Sequence, residues 1–279
     1  MQPISTARLV LMLGPLLAPL VFLFCGALLS GSADRFTFAD FNTVLRDPEV
    51  RVSLGFTIAV AVASTVLSMA GGLALALSVR RFVRSGSVLY TLLQAPLAIP
   101  HIAMGLVLIH VLSPSGLLAR VAYAFGLITE PAGFPELVND RYGLGIVIGY
   151  VVKEVPFLAV MTLAVLLRTG AELDDVARTL GASSWQRLRY VTLPAAWPAL
   201  LPASIFVFAY TFSAFEMPFL VGRPYPAMLP VVAQRRYMIG DLADRSEAVA
   251  IGVLMSLVTA LCVWVYLRVS TKAEGPVAF

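Results

Sequence analysis

Charge is scarce in this chain. Only 13% of its 279 residues are Asp, Glu, Lys or Arg, about half the roughly 25% usual in soluble domains. A soluble globular protein is thereby excluded, and with a mean hydropathy of +0.88 the chain is read as a polytopic membrane protein. Cysteine is nearly absent. The two present, Cys25 and Cys262, both fall in apolar runs, so a disulfide framework is excluded and reduced thiols are expected. There are two histidines, His101 and His110. They stand about two and a half helical turns apart on one span and make a poor metal pair, so no metal site is expected. No phosphate loop of the GxxxxGK[ST] type and no HExxH occur, so ATP binding by such a loop and zinc hydrolysis are excluded. The net charge of +4 needs no nucleic acid, because basic residues at membrane surfaces account for it.

What is abundant is apolar sequence. A crossing needs about 20 mostly apolar residues, and six such runs are predicted: 9–30, 53–79, 89–113, 143–168, 200–221 and 248–268. The expected fold class is all-α, one transmembrane domain of six helices over 1–279. The first run follows Arg8 and resembles a signal-peptide core. Its length, Pro15, Pro19 and lack of a small-x-small cleavage site favour a retained helix. Six spans put both termini on one side. That side carries ten basic residues against nine on the other, a slight lean toward cytoplasmic termini. Residues 31–52, with Phe36, Phe38 and Phe41, read as a short amphipathic element, and 114–142 and 222–247 as external loops. The first three and last three spans show no symmetry, which weakens an inverted-repeat carrier.

The segment AELDDVARTLGASSWQRLRYVTLPAAWPALLP, 171–202, is a charged island between apolar spans. Glu172, Asp174 and Asp175 crowd the start of a first helix, where the dipole favours negative charge, and Arg178 sits near its end. Gly181 stands where a helix ends in a left-handed residue. Ser183 and Gln186 have the spacing of a capping box that starts a second helix. Trp185, Leu188 and Val191 are expected to form an apolar stripe, with Arg187 and Arg189 pointing elsewhere. Pro194 and Pro198 are expected to end this element before the fifth span. The residues alone leave two readings open, a hairpin resting on lipid headgroups or a protein-docking surface.

The run DDVARTLGASSWQRLRYVTLP resembles the cytoplasmic coupling loop of permeases in binding-protein-dependent ABC importers. The family pattern is Glu-Ala-Ala, three residues, Gly, nine residues, Ile-x-Leu-Pro. Here those positions hold Asp175, Val176, Ala177, then Gly181, then Val191, Thr192, Leu193 and Pro194. The spacing matches throughout, and Asp175, Val176 and Val191 are conservative departures. The resemblance covers about 50–268 and implies a type I importer permease fold with a cytoplasmic hairpin, in a bacterial inner membrane. It implies a non-catalytic subunit whose ATP and Mg sit on a partner ATPase dimer. Asp174, Asp175, Ala177, Gly181, Ala182, Val191, Leu193 and Pro194 would couple to that ATPase, with Asp175, Ala177 and Gly181 setting the contact geometry and Leu193 and Pro194 fixing how the hairpin joins the fifth span. A second permease, either a copy of this chain or, the favoured expectation, a different chain, and a periplasmic or lipid-anchored binding protein would complete the assembly.

Ionisable groups inside spans usually face a partner or a wet cavity. Lys153 and Glu154 on the fourth span and Glu216 on the fifth are therefore candidate translocation-path residues. The alternative is purely structural: interhelical hydrogen bonds, or a Lys153–Glu216 pair. Neighbours on a helix diverge by about 100°, so Lys153 and Glu154 are not expected to face one partner. Pro96, Pro100, Pro156 and Pro218 lie near these groups and free backbone carbonyls. The runs Ala70–Ala74 and Gly145-x-x-x-Gly149 are expected to mark close helix packing. The third-span stretch PLAIPHIAMGLVLI is most similar to permeases for polyamines, thiamine and ferric iron, with sugars left open. The rival function is an ion-gradient-driven carrier with Glu154 and Glu216 as a proton relay.

Overall fold

A computed structural model describes residues 39–80, 82–83, 87–239 and 241–273, and among these there is no strand. Helix α1 is Ala39–Arg46 and α2 is Pro48–Val79. Between them the Asp47 carboxylate accepts the Glu49 N–H at 2.7 Å, and Pro48 occupies the first helical position, where a missing N–H costs nothing. At 32 residues, α2 is about 48 Å long, enough to cross a bilayer with headgroups.

Ser87 caps α3, Val88–Gln94, by accepting the Tyr90 N–H. A short 3₁₀ turn, Ala95–Ala98, follows. Ile99 is extended, at φ −77° and ψ 123°, because the Pro100 ring disfavours helical backbone in the residue before it. Then come α4, His101–Leu112, and α5, Leu117–Ala124. The predicted 89–113 helix is thus two pieces broken between the prolines. The expected external loop 114–142 contains α5, and 222–247 likewise contains α11, Leu229–Ile239.

Helix α6 is Leu144–Val165. The Asp140 carboxylate fixes its start by accepting the N–H groups of Tyr142 and Gly145. Helix α7 is Ala171–Thr179, α8 is Ser184–Arg187, α9 is Leu193–Ser213 and α10 is Glu216–Val221. The predicted 200–221 span is therefore also broken, with Ala214 extended at ψ 139°. In an unbroken helix the Pro218 ring would strike the Ala214 carbonyl four residues back, and the break falls there. Pro156 lies inside α6 with no break. Helix α12, Leu242–Ala273, ends the described chain.

Among the described residues, five helical stretches are long and apolar enough to cross a membrane: Pro48–Val79, His101–Ala124, Leu144–Arg168, Ser184–Ser213 and Asp244–Val265. They correspond to five of the six predicted spans. The run 9–30, with Cys25, lies outside the described residues. Cys262 is a free thiol.

The described chain divides into two compact units, one up to Thr57 with Pro226–Leu261, the other Ile58–Tyr225 with the residues from Cys262. In lipid, helices associate through close packing rather than hydrophobic drive, and the second unit shows this. A Cβ on Gly72 would lie 2.6 Å from Leu158 Cβ and 3.1 Å from the Ala159 nitrogen, and one on Gly71 would lie 2.8 Å from Val155. Leu158, Leu200, Ala203 and Val207 form a buried core there, covered by Met69, Leu73 and Phe157. Gly149 admits Leu108 and Met217 in the same way. The small-residue runs thus do what their spacing predicted.

The first unit adds polar contacts to buried apolar residues that include Val44, Val50, Leu229, Val232 and Ile251. Thr57 Oγ1 accepts the Leu229 N–H at 2.8 Å and donates to the Ser53 carbonyl at 2.6 Å. Arg236 of α11 pairs with Asp47, with Glu49 at 3.3 Å and with Glu247 at 2.6 Å, while Arg235 also pairs with Glu49. Burial alone would raise the Asp47 carboxyl, but the Arg236 hydrogen bond and charge hold it below its ordinary 3.8.

Candidate functional site

The charged island is a helical hairpin. Its first arm, α7, continues from α6 through a π-turn, Leu166–Gly170, and its second arm continues into α9 through another, Leu188–Thr192. Gly181 turns the chain at φ +80°. The Gly181 N–H donates to the Arg178 carbonyl and the Ala182 N–H to the Ala177 carbonyl, both at 3.0 Å, which closes the first arm with the expected left-handed cap. The Ser183–Gln186 capping box is present in both directions, at 3.3 and 2.8 Å.

Two expectations about the hairpin fail. Pro194 and Pro198 do not end the second arm. The wider π-turn lets the Leu193 N–H reach back five residues to the Leu188 carbonyl, so Pro194 enters α9 at its start, where its missing N–H is tolerated. Pro198 and Pro202 lie inside α9. Nor does Arg187 point away. It turns inward to Asp174 at 3.4 Å, leaving its side chain 15% exposed. Of the expected stripe, Trp185 is exposed while Leu188 and Val191 are half-buried.

Asp174 is the centre of the hairpin's polar contacts. One oxygen, Oδ2, accepts from Arg187 and from Arg80 at 3.3 Å, and Arg80 also reaches Thr192 Oγ1 at 3.5 Å. The other candidate contact residues lie around this centre. Asp175, Gly181 and Pro194 are exposed, and Ala177, Ala182, Val191 and Leu193 are half-buried. The arms and tip present apolar side chains outward: Leu173, Val176, Trp185, Tyr190 and, at 82% exposure, Leu180.

The intramembrane charges converge on a second cluster. Lys153 is 3% exposed, and its ammonium donates to the carbonyls of Ile99 and Pro96, the latter at 3.1 Å. These are carbonyls at the third-span break, so the lysine satisfies backbone that the prolines disrupt. Glu154, 7% exposed, turns to His101 Nε2 at 3.5 Å. The pair diverges as the 100° rule requires, and the alternative Lys153–Glu216 pairing is not formed. His101 packs on Tyr210 with ring centroids 4.7 Å apart, and Tyr210 meets Tyr150 edge-on at 6.4 Å. Glu216 opens α10 and is half-buried. Both carboxylates lie within coulombic reach of the two tyrosines. The Tyr150 hydroxyl is buried and has no hydrogen-bond partner.

Sequence reasoning missed Arg80, Tyr150 and Tyr210. Tyr150 stands four residues before Glu154, on the same helical face, and that spacing was available. Arg80 carried no such signal, since an arginine after an apolar span is ordinary.

Residues 68–273 match the family described as the binding-protein-dependent transport system inner membrane component. The chain is similar to the inner membrane ABC transporter permease protein YnjC of Escherichia coli (strain K12), with 30% identity over 169 residues. That match covers 59% of this chain but only 30% of YnjC. It is also similar to the molybdenum transport system permease protein ModB of Mycobacterium tuberculosis (strain ATCC 25618 / H37Rv), 27% identical over 238 residues, or 83% of this chain and 84% of ModB. Among solved structures, a chain of a bacterial ABC transporter involved in the import of the acidic polysaccharide alginate superposes with a TM-score of 0.77 at 18% identity. The superposition covers 97% of this chain and 94% of that one, a likeness of fold.

Proposed function

Since the chain belongs to the family of binding-protein-dependent transport system inner membrane components, we propose that it forms half of an importer's translocation pathway and couples to a separate ATPase through the 171–194 hairpin. One observation carries this reading. The hairpin is two helical extensions of membrane spans, closed by Gly181, with Leu173, Val176, Leu180, Trp185 and Tyr190 facing outward. A helical lever with an apolar face suits docking into a protein groove, and its continuity with two spans suits force transfer. The gradient-driven carrier leaves this lever without a role.

In this reading the hairpin and both termini are cytoplasmic. The partners are an ATPase dimer carrying ATP and Mg, a second permease of different sequence, and a solute-binding protein on the outer face. Relatives are named as permeases for molybdenum and for sulfate, so family membership leaves the solute open. In this chain the Lys153 ammonium is occupied by backbone carbonyls. The carboxylates of Glu154 and Glu216 then set the sign of the polar cluster and favour a cationic solute of the polyamine, thiamine or iron class.

The test is co-purification of the tagged chain from native membranes in mild detergent. Wild type is expected to bring down an ATPase in near-stoichiometric yield. Leu180→Glu places a charge on an exposed apolar site without disturbing any packed core, and is expected to lose most of that ATPase at unchanged permease yield. Full ATPase recovery with Leu180→Glu would refute docking through this face.

A further inference from the structure

We propose that Arg80, Asp174 and Arg187 form a clasp that makes the second span move with the hairpin, so that one stroke at the hairpin is delivered to three spans. This rests on the hairpin being the ATPase-driven element. Two of the three connections are covalent, because α6 runs into α7 and α8 runs into α9, each through a π-turn. The second span has no such continuity. Its link is the side chain of Arg80, the residue immediately after α2.

The geometry of the clasp is specific. Asp174 sits on the first arm and Arg187 on the second, so their 3.4 Å contact ties the arms together. Arg187 also donates to Ser184 Oγ at 3.4 Å. Arg80 then ties that pair to α2, at 3.3 Å to Asp174 and 3.5 Å to Thr192 in the second π-turn. The three charged side chains are 15–22% exposed, sheltered enough for the attraction to exceed that of an open surface pair. Removing Asp174 leaves two guanidinium groups facing each other across the hairpin.

The clasp is also not fully closed. Contacts of 3.3–3.5 Å are longer than the 2.7–2.9 Å of a tight charge-assisted bond. Asp174 Oδ1 and Arg187 Nε are buried without a hydrogen-bond partner. The same residues, with Leu77, Ser184, Leu188 and Thr192, line a cavity of about 160 Å³. There is room for the clasp to tighten by several tenths of an ångström when the arms are pressed together, and tightening would draw the end of α2 toward the hairpin. Arg80 and Asp174 are thus positioning residues, acting on the pathway through the second span.

The experiment uses the purified complex of this chain with its ATPase in lipid nanodiscs, with Cys25 and Cys262 replaced by alanine. Nitroxide labels at Leu67→Cys on the second span, or Phe206→Cys on the fifth, are each paired with one at Tyr142→Cys, and distances are read by pulsed EPR with and without ATP plus vanadate. All three sites are exposed. Both distances are expected to shift in the parent. Arg80→Gln is expected to remove at least half of the second-span shift and keep the fifth-span shift, with ATPase recovery unchanged. Asp174→Asn, which leaves Arg80 and Arg187 facing each other, should reduce the second-span shift at least as much as Arg80→Gln, the double variant should be no worse than Asp174→Asn, and Arg80→Lys should restore part of the shift. An unchanged second-span shift in Arg80→Gln overturns the clasp, and so does equal loss of both shifts with the ATPase still bound. Because Arg80 lies outside the hairpin, its variant decides the matter even if Asp174→Asn fails to assemble. If the parent itself recovers no ATPase, the docking reading fails, and the clasp with it.

Discussion

Gly181 offers a graded test of how the hairpin works. Its φ of +80° lies where a side chain costs about 1–2 kcal/mol, with Asn cheaper than other residues. A Cβ there would meet nothing within 4 Å, so the cost inside the chain is backbone strain alone. If the ATPase reads the closed hairpin, that strain is charged against docking. About 1 kcal/mol corresponds to roughly five-fold in affinity and 2 kcal/mol to roughly thirty-fold. The expected order of affinity is Gly181, then Gly181→Asn, then Gly181→Ala, then Gly181→Val, whose β-branch resists positive φ most. The assay is binding of the purified ATPase to nanodisc-embedded variants by microscale thermophoresis, with permease folding checked by gel filtration. If Gly181→Ala binds as well as the parent, backbone conformation at 181 does not govern docking. If Gly181→Asn binds worse than Gly181→Ala, the penalty follows side-chain size, and the partner packs directly on the glycine.

Other expectations follow from the fold. Gly72→Ala sets a Cβ at 2.6 Å from Leu158, inside normal contact distance, and should destabilise the protein by about 1–3 kcal/mol, whereas Gly55→Ala on the same helix, with open space around it, should stabilise by roughly 0.5–1 kcal/mol; thermal unfolding in detergent reads both. Lys153→Met strands the Ile99 carbonyl and leaves the Pro96 carbonyl with only the Ile99 N–H at 3.4 Å; each lost bond is worth about 0.6 kcal/mol or more in a membrane setting, and hydrogen exchange at 96–104 should rise more than elsewhere. Asp47 has a depressed carboxyl, so its stabilising contribution is present above the ordinary 3.8 and lost as pH falls below it; melting temperature should drop between pH 5 and 3 more steeply in the parent than in Asp47→Asn. If Glu154 and Glu216 line the path, Glu154→Gln and Glu216→Gln should each reduce cation-stimulated ATPase activity at least five-fold while leaving assembly intact, with polyamine as the first cation tried.

Much of this was legible in the residues. Five apolar runs gave five spans because each residue's cost in lipid is local and additive along a window. Gly181 and the Ser183–Gln186 pair were legible because helix caps are made by neighbours in sequence. The breaks at Ile99 and Ala214 also have local signals, in Pro100 and Pro218, yet the apolar runs continue straight through them, because hydropathy alone does not register a kink. The continuity of the second arm was not legible. Pro194 and Pro198 read as stops, and only the π-turn at 188–192 shows how the chain absorbs them. The inward turn of Arg187, the reach of Arg80 and the Lys153 contacts with carbonyls over fifty residues away were beyond any pattern, because side-chain partners across helices depend on packing that a single sequence does not display. The Asp47-Pro48-Glu49 start of α2 was a missed local signal, a capping aspartate with proline at the first helical position.

The proposal that the exposed face of the hairpin meets the ATPase is tested in intact cells by a photo-reactive amino acid at Leu180, with a second at Tyr142 as control. Irradiation is expected to join position 180 to the ATPase with high yield and position 142 not at all. Crosslinks from position 180 to lipid, with none to the ATPase, would contradict it and return the hairpin to the headgroup surface.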